Sequence, residues 1–266
     1  ECYQRTTNAT LAPGVQLPAV VGASAPYQNT ADMRTRGWEL SLNWRDQIGK
    51  VGYRIGFNLS DYKSEIIKYD DNAATKLLSS YYPGQTLGEI WGYVVDGYYT
   101  VDDFVDTSYW QLKEGVTSIN GYNVRPGDVK FKNLRDDDTS TNVITSGDNT
   151  LDNPGDRKVI GNTTPRYQYG INLGMNYAGF DLNVILQGTG KRDYWISNVL
   201  TLPMNGDNFV PLFEGLSDYW MPKDPHNGDW SAVNPNAKYP RIYGNRGNSG
   251  SNLRQSDKYL SDASYL

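Results

Sequence analysis

The chain has 266 residues, of which 38% are hydrophobic and 21% charged, and its formal net charge is −5. Mild acidity without a Lys/Arg cluster argues against a nucleic-acid-binding surface. No apolar run approaches the ~20 residues of a membrane helix, a criterion blind to strands that show lipid only one face.

The first predicted element is a hairpin. Trp38, Leu40, Leu42 and Trp44 alternate with Glu39, Ser41, Asn43 and Arg45. After a turn at Asp46-Gln47-Ile48-Gly49, Val51, Tyr53, Ile55, Phe57 and Leu59 alternate with Gly52, Arg54, Gly56, Asn58 and Ser60. A period of two is what a pleated strand imposes on its side chains. Asp61 to Thr164 then reads as a long polar connection, with an aspartate-rich run of turn formers from Leu134 to Asp156. The second hairpin places Tyr167, Tyr169, Ile171, Leu173, Met175 and Tyr177 on one face and Gln168, Gly170, Asn172, Gly174 and Asn176 on the other. Alternation resumes beyond Ala178-Gly179 with Phe180, Leu182, Val184 and Leu186. Lys191 to Arg254 is a second long connection, holding His226 and three tryptophans.

Strand length gives the membrane reading. At about 3.3 Å per residue, Tyr167 to Tyr177 spans roughly 33 Å. A tilt of about 45° reduces this to roughly 23 Å of height, close to the ~25 Å apolar band of an outer-membrane barrel. A soluble sandwich would carry short loops at regular spacing. Very short turns at one end and very long loops at the other are a barrel's habit. If both short turns face the periplasm, the strand ending at Leu59 leaves to the outside and the one starting at Tyr167 returns from it. An even number of crossings must lie between them. Leu87 to Tyr99 alternates poorly and Val129 to Leu134 is short, which favours zero crossings and an ordered extracellular excursion.

Catalysis finds little footing. The chain has one histidine, His226, in a Pro/Asn/Gly-rich loop, and one cysteine, Cys2, and no HExxH, CxxC or P-loop pattern occurs. The loop aromatics Tyr109, Trp110, Trp195, Trp220 and Trp230 suit sugar faces or peptide side chains, or else pack loops together or against a partner protein. On the polar side of the strands, Arg45, Arg54, Asn58, Arg166, Asn172 and Asn183 are candidates to line a solute path or to hold a plug by hydrogen bonds. Asp136, Asp138 and Asp152 could supply carboxylates to a structural calcium ion, although the loop lacks the glycines that usually bend one. A solvated acidic loop is the plainer alternative.

Several segments resemble the SusC/RagA-like TonB-dependent outer-membrane transporters of Bacteroidota. They are ADMRTRGWELSLNWR (31–45), GQTLGEIWGYVVDGYY (84–99), RPGDVKFKNL (125–134), DRKVIGNTTPRYQYGINLGMNYAGFDLNVILQGTGKRD (156–193), NPNAKYPRIY (234–243) and the stretch through SDASYL at 266. The resemblance implies an all-β fold: a sector of a large antiparallel transmembrane barrel with long extracellular loops, incomplete at both ends. Residues 1–266 would be one partial barrel, with the plug and the closing C-terminal strands outside them. It implies energised import of oligosaccharides or peptides across the outer membrane of a Gram-negative, Bacteroidota-like cell, with no enzymatic step. The implied partners are a SusD-like surface lipoprotein, TonB-ExbB-ExbD acting through the plug-bearing part, membrane lipid and the solute. A β-rich surface adhesin or glycan-binding module without transport is the main alternative, and a soluble β enzyme a third.

Overall fold

The alternating segments assemble into one antiparallel sheet. The computed structural model describes residues 1–13, 20, 22, 26–70, 77, 81–106, 108–135, 142–196, 214–243 and 251–266. Five long strands are β1 (Cys2–Pro13), β2 (Tyr27–Ile48), β3 (Val51–Tyr69), β4 (Arg166–Tyr177) and β5 (Phe180–Lys191). They lie side by side in that order, each antiparallel to the next. β3 is bonded directly to β4, so the chain between Tyr69 and Arg166 leaves and re-enters at one end of the sheet. Among the described residues it adds no strand to that sheet, as the zero-crossing reading requires.

Both short turns have the chemistry of two-residue hairpins. Gly49 is at φ 60° in the Gly49-Lys50 turn, and Ala178 and Gly179 are at φ 48° and 86°. Positive φ at the first central residue alone, a glycine, marks the first turn as II′-like, and positive φ at both marks the second as I′-like; either twist matches that of the flanking strands. The first turn is shorter than expected because Asp46, Gln47 and Ile48 are still paired, with Tyr53, Gly52 and Val51.

β2 and β3 also run well past the predicted ends at Trp38 and Leu59. There the ladder is held by polar cross-strand pairs, Arg34 with Glu65 at 2.9 Å and Thr35 with Ser64 at 2.8 Å. The pleat continues although the apolar alternation stops. β1 was not anticipated, since its sequence CYQRTTNATLAP has no apolar face, and its pairing is broken by irregularities around Thr7 to Leu11, where Ala9 is at φ 54°.

The chain divides into two units. One holds residues 1–89, 162–194 and 262–266 and contains the sheet; the other holds 90–161 and 195–261. In the first, the apolar face is uncovered along its middle, with Leu42 at 56% exposure and Trp44 at 62%. A small cluster of Ala12, Ile66 and Tyr69 packs with Ala31 and Met33.

The second unit has its own core of Tyr93, Tyr99, Phe104, Ile119, Val124, Val129, Phe131 and Ile144. A smaller cluster joins Leu216, Tyr239 and Tyr259. These long connections are therefore ordered over their described residues, as their aromatic content suggested.

Candidate functional site

Register turns the polar face of the sheet into a series of rungs, each crossing β2, β3, β4 and β5. Arg45, Arg54, Gly174 and Asn183 form one rung. The rung on the turn side is Gln47, Gly52, Asn176 and Asp181; the rung on the other side is Asn43, Gly56, Asn172 and Ile185. Beyond it come Ser41, Asn58, Gly170 and Gln187.

Each of these rungs carries a glycine, and in three of them a longer neighbour lies over it. A Cβ at Gly174 would meet the Arg54 side chain, one at Gly52 would meet Asn176, and one at Gly56 would meet Asn43 and Asn172. Missing side chains thus let the polar ones lie flat and bond sideways. Arg54 crosses β4 over Gly174 and donates from Nη2 to Asn183 Oδ1 at 2.6 Å. The Gly52 amide donates to Asn176 Oδ1 at 3.2 Å, and Ser41 donates to Asn58 Oδ1 at 2.7 Å. A hollow of about 680 Å³ is bordered by Asn43, Arg45, Arg54, Asn172, Asn183 and Ile185, together with Trp44, Ile55, Leu173 and Val184 between them.

Five of the six predicted polar-face residues, Arg45, Arg54, Asn58, Asn172 and Asn183, share this face. Arg166 does not follow Asn172. Tyr167 is at φ 53°, which interrupts the alternation. The Arg166 guanidinium donates through Nε and Nη2 to both carboxylate oxygens of Asp61. Asp61 pairs with Trp38 and so has the parity of the apolar face. Arg166 is a clasp between β3 and β4 rather than a polar-face residue. Ile185, on the polar face and 75% exposed, went unnoticed because the alternation of β5 was read from its other face.

The five loop aromatics do not form one platform. Trp110 and Trp230 meet edge to face with centroids 5.1 Å apart. The Arg241 guanidinium lies 5.3 Å from the Trp230 centroid and 4.7 Å from that of Tyr243. Tyr109 is 87% exposed. Trp220 is buried, with Gly127 against its ring. Trp195 packs against the Leu216 cluster and donates Nε1 to the Ser256 carbonyl at 3.1 Å.

Asp136 and Asp138 lie outside the described residues. Asp152 is exposed, and among the described residues no three His, Cys, Asp or Glu side chains converge as metal ligands would. Two other aspartates organise the second unit. Asp156 is fully buried; its Oδ1 accepts from the Leu134 and Arg135 amides at 2.8 and 3.3 Å, and its Oδ2 from the Thr145 amide at 2.8 Å. It ties together the chain on either side of the acidic run.

Asp128 is 1% exposed and accepts from the Arg125 amide, Asn252 Nδ2 and the Tyr243 hydroxyl. Burial raises its carboxyl above the usual range, against the lowering effect of those donors. Burial likewise raises the Tyr243 hydroxyl and lowers the Lys258 ammonium. Each aspartate is buried and its oxygens are taken up by amide, hydroxyl or side-chain donors of the surrounding chain, which is the bonding of a structural carboxylate. Sequence offered no sign of Asp128's burial, because two of its three donors, on Tyr243 and Asn252, lie more than a hundred residues away along the chain.

No family model matches the chain. Over 265 residues, 94% of its length, it is 24% identical to TonB-dependent receptor P3 of Formosa agariphila, and it covers 22% of that protein. TonB-dependent receptor P39 of the same organism is 24% identical over 285 residues, with 99% of this chain and 26% of the relative covered. The chain thus spans about a quarter of the length of these relatives. Among solved structures, the RagAB peptide transporter aligns with 99% of this chain and 25% of its own, at 19% identity and a TM-score of 0.61. The fold is accordingly a sector of a large antiparallel β-barrel, not closed on itself, in a chain similar along nearly its whole length to TonB-dependent receptors.

Proposed function

We propose that this chain is part of the barrel wall of an outer-membrane transporter that imports nutrients with energy delivered through TonB. The observation that carries the reading is the two-faced sheet. Its long strands expose an uncovered apolar face while the opposite face carries rungs of Asn, Arg, Ser and Gly. Lipid satisfies the first and an aqueous or protein-filled interior the second. In water, so large an exposed apolar patch would mark an interaction surface or an aggregation hazard. The likeness to TonB-dependent receptors and to a peptide transporter supports the same role.

In this reading the wall performs no chemistry. Its solute is an oligosaccharide or a peptide, a SusD-like lipoprotein caps the outer side, and the TonB-ExbB-ExbD system acts from the periplasm. Fractionation and gene deletion test it. The full-length protein should partition with the outer membrane and migrate faster on gels unheated than boiled. Deleting its gene should abolish growth on at least one glycan or peptide source. A protein that washes off with salt, together with unimpaired growth on every source tried, would establish the surface-module alternative instead.

A further inference from the structure

We propose that Arg36 and Lys63 dock phosphate-bearing lipid headgroups, in the leaflet away from the short turns. The inference rests on the reading that the apolar face of the sheet meets lipid. Trp38, Leu40 and Leu42 carry that face on β2, and by alternation Arg36 lies on it two residues beyond Trp38. Lys63 stands directly opposite Arg36 on β3, as Asp61 stands opposite Trp38. Trp38 to Ile48 rises roughly 23 Å at about 3.3 Å per residue and a tilt of about 45°, so the apolar belt ends near Trp38. Arg36 is then about 5 Å higher, within a headgroup layer about 5–7 Å deep.

Both side chains are exposed, and like charges directly opposite each other weaken a ladder. Among the described residues neither takes part in an ion pair. The acids on that side of the belt are engaged elsewhere: Asp61 with Arg166, Glu65 with Arg34, Asp70 with Lys68, and Asp32 Oδ1 with the Ala9 amide. Arg36 donates from Nε to Gln4 Oε1 at 2.8 Å, which steadies the guanidinium through its inner nitrogen. Its two terminal amino groups carry the donors that suit phosphate oxygens, and Lys63 adds a point charge. Continuity with the belt favours a lipid over a free anion or an acidic protein. The acyl chains lie along Trp38, Leu40 and Leu59 while the phosphate reaches the two cations, and anionic headgroups attract such residues.

The test is native mass spectrometry of the full-length protein in detergent. It is titrated with phosphatidic acid or with phosphatidylcholine of equal chain length, whose phosphate is neutralised by choline. Phosphatidic acid should bind more tightly. Arg36→Gln and Lys63→Gln should each weaken it about fivefold and leave phosphatidylcholine binding unchanged. Exchanging the two, Arg36→Lys with Lys63→Arg, keeps the charge and should keep the preference. Arg5→Gln removes a cation that pairs with Thr35, of the opposite parity, and should change nothing.

Equal binding of the two lipids overturns the proposal, as does a loss in Arg5→Gln as large as in Arg36→Gln. Displacement of the lipid by inorganic phosphate at the same concentration also overturns it, in favour of a site for the free anion. Heat modifiability, scored alongside, separates this proposal from the reading beneath it. Unmutated protein that lacks it contradicts the barrel wall itself, whereas heat-modifiable protein that treats both lipids alike contradicts the lipid site alone.

Discussion

At the scale of single residues, glycines and buried carboxylates determine where polar groups can go. Gly174 matters for what its missing Cβ permits, which is the path of Arg54 across β4 to Asn183. Asp128 shows the cost of a buried charge and how it is met, with donors from three separate stretches of chain. Because burial raises its carboxyl, the folded form keeps the proton to a higher pH than the unfolded chain does. Its contribution to stability is therefore fully present below the unfolded value, near pH ~4, and is lost as pH rises through the folded one. In amide exchange corrected for intrinsic rates, protection of Tyr99 and Val129 should fall more steeply with rising pH in the native protein than in Asp128→Asn. Equal slopes would remove Asp128 as the cause.

Elements are governed by parity. Adjacent positions on β2 face opposite environments, so the same substitution should have very different effects at neighbouring sites. Leu42→Arg puts a charge on the apolar face and should cost about 2–4 kcal/mol if that position lies near the bilayer midplane. It would be read as loss of the heat-modifiable form. Ser41→Arg, one residue away on the polar face, should assemble normally. Similar defects at both sites would contradict the two-faced reading. At the second turn, Ala178 occupies a left-handed conformation that costs an L-residue roughly 1–2 kcal/mol. Ala178→Asn should recover about 0.5–1 kcal/mol, since Asn-Gly suits such turns. The expected readout is slower exchange of the Tyr177 and Phe180 amides.

For the whole molecule, the division into two units makes a prediction about cooperativity. Trp220 is buried in the second unit, whose core is distinct from the sheet. Trp220→Ala should remove about 3–5 kcal/mol of packing and lower amide protection throughout residues 90–161 and 214–243. Protection in β2 to β5 should stay unchanged. Loss of protection in both units would mean that they unfold as one. At this scale the fold narrows function without choosing the solute, because specificity depends on groups brought together from outside a single stretch of wall.

How much was readable in advance follows from the range over which each feature is encoded. Alternation of Trp38 to Trp44, Val51 to Leu59 and Tyr167 to Tyr177 is a local, covalent property. From the sequence alone it determined which side chains share a face and where the tight turns fall. It also placed Arg45, Arg54, Asn58, Asn172 and Asn183 on one face, since parity holds wherever the backbone stays extended. It failed at Arg166, because the conformation of Tyr167 interrupts the pleat, and at β1 and the outer halves of β2 and β3, where polar pairs replace the apolar signal. The parity of the turns already favoured zero crossings between β3 and β4; only the tertiary structure decided their register, and hence that Arg45, Arg54, Gly174 and Asn183 stand in one row. Hydrogen bonds between strands distant in sequence set that register, and no periodicity within a strand encodes its partner.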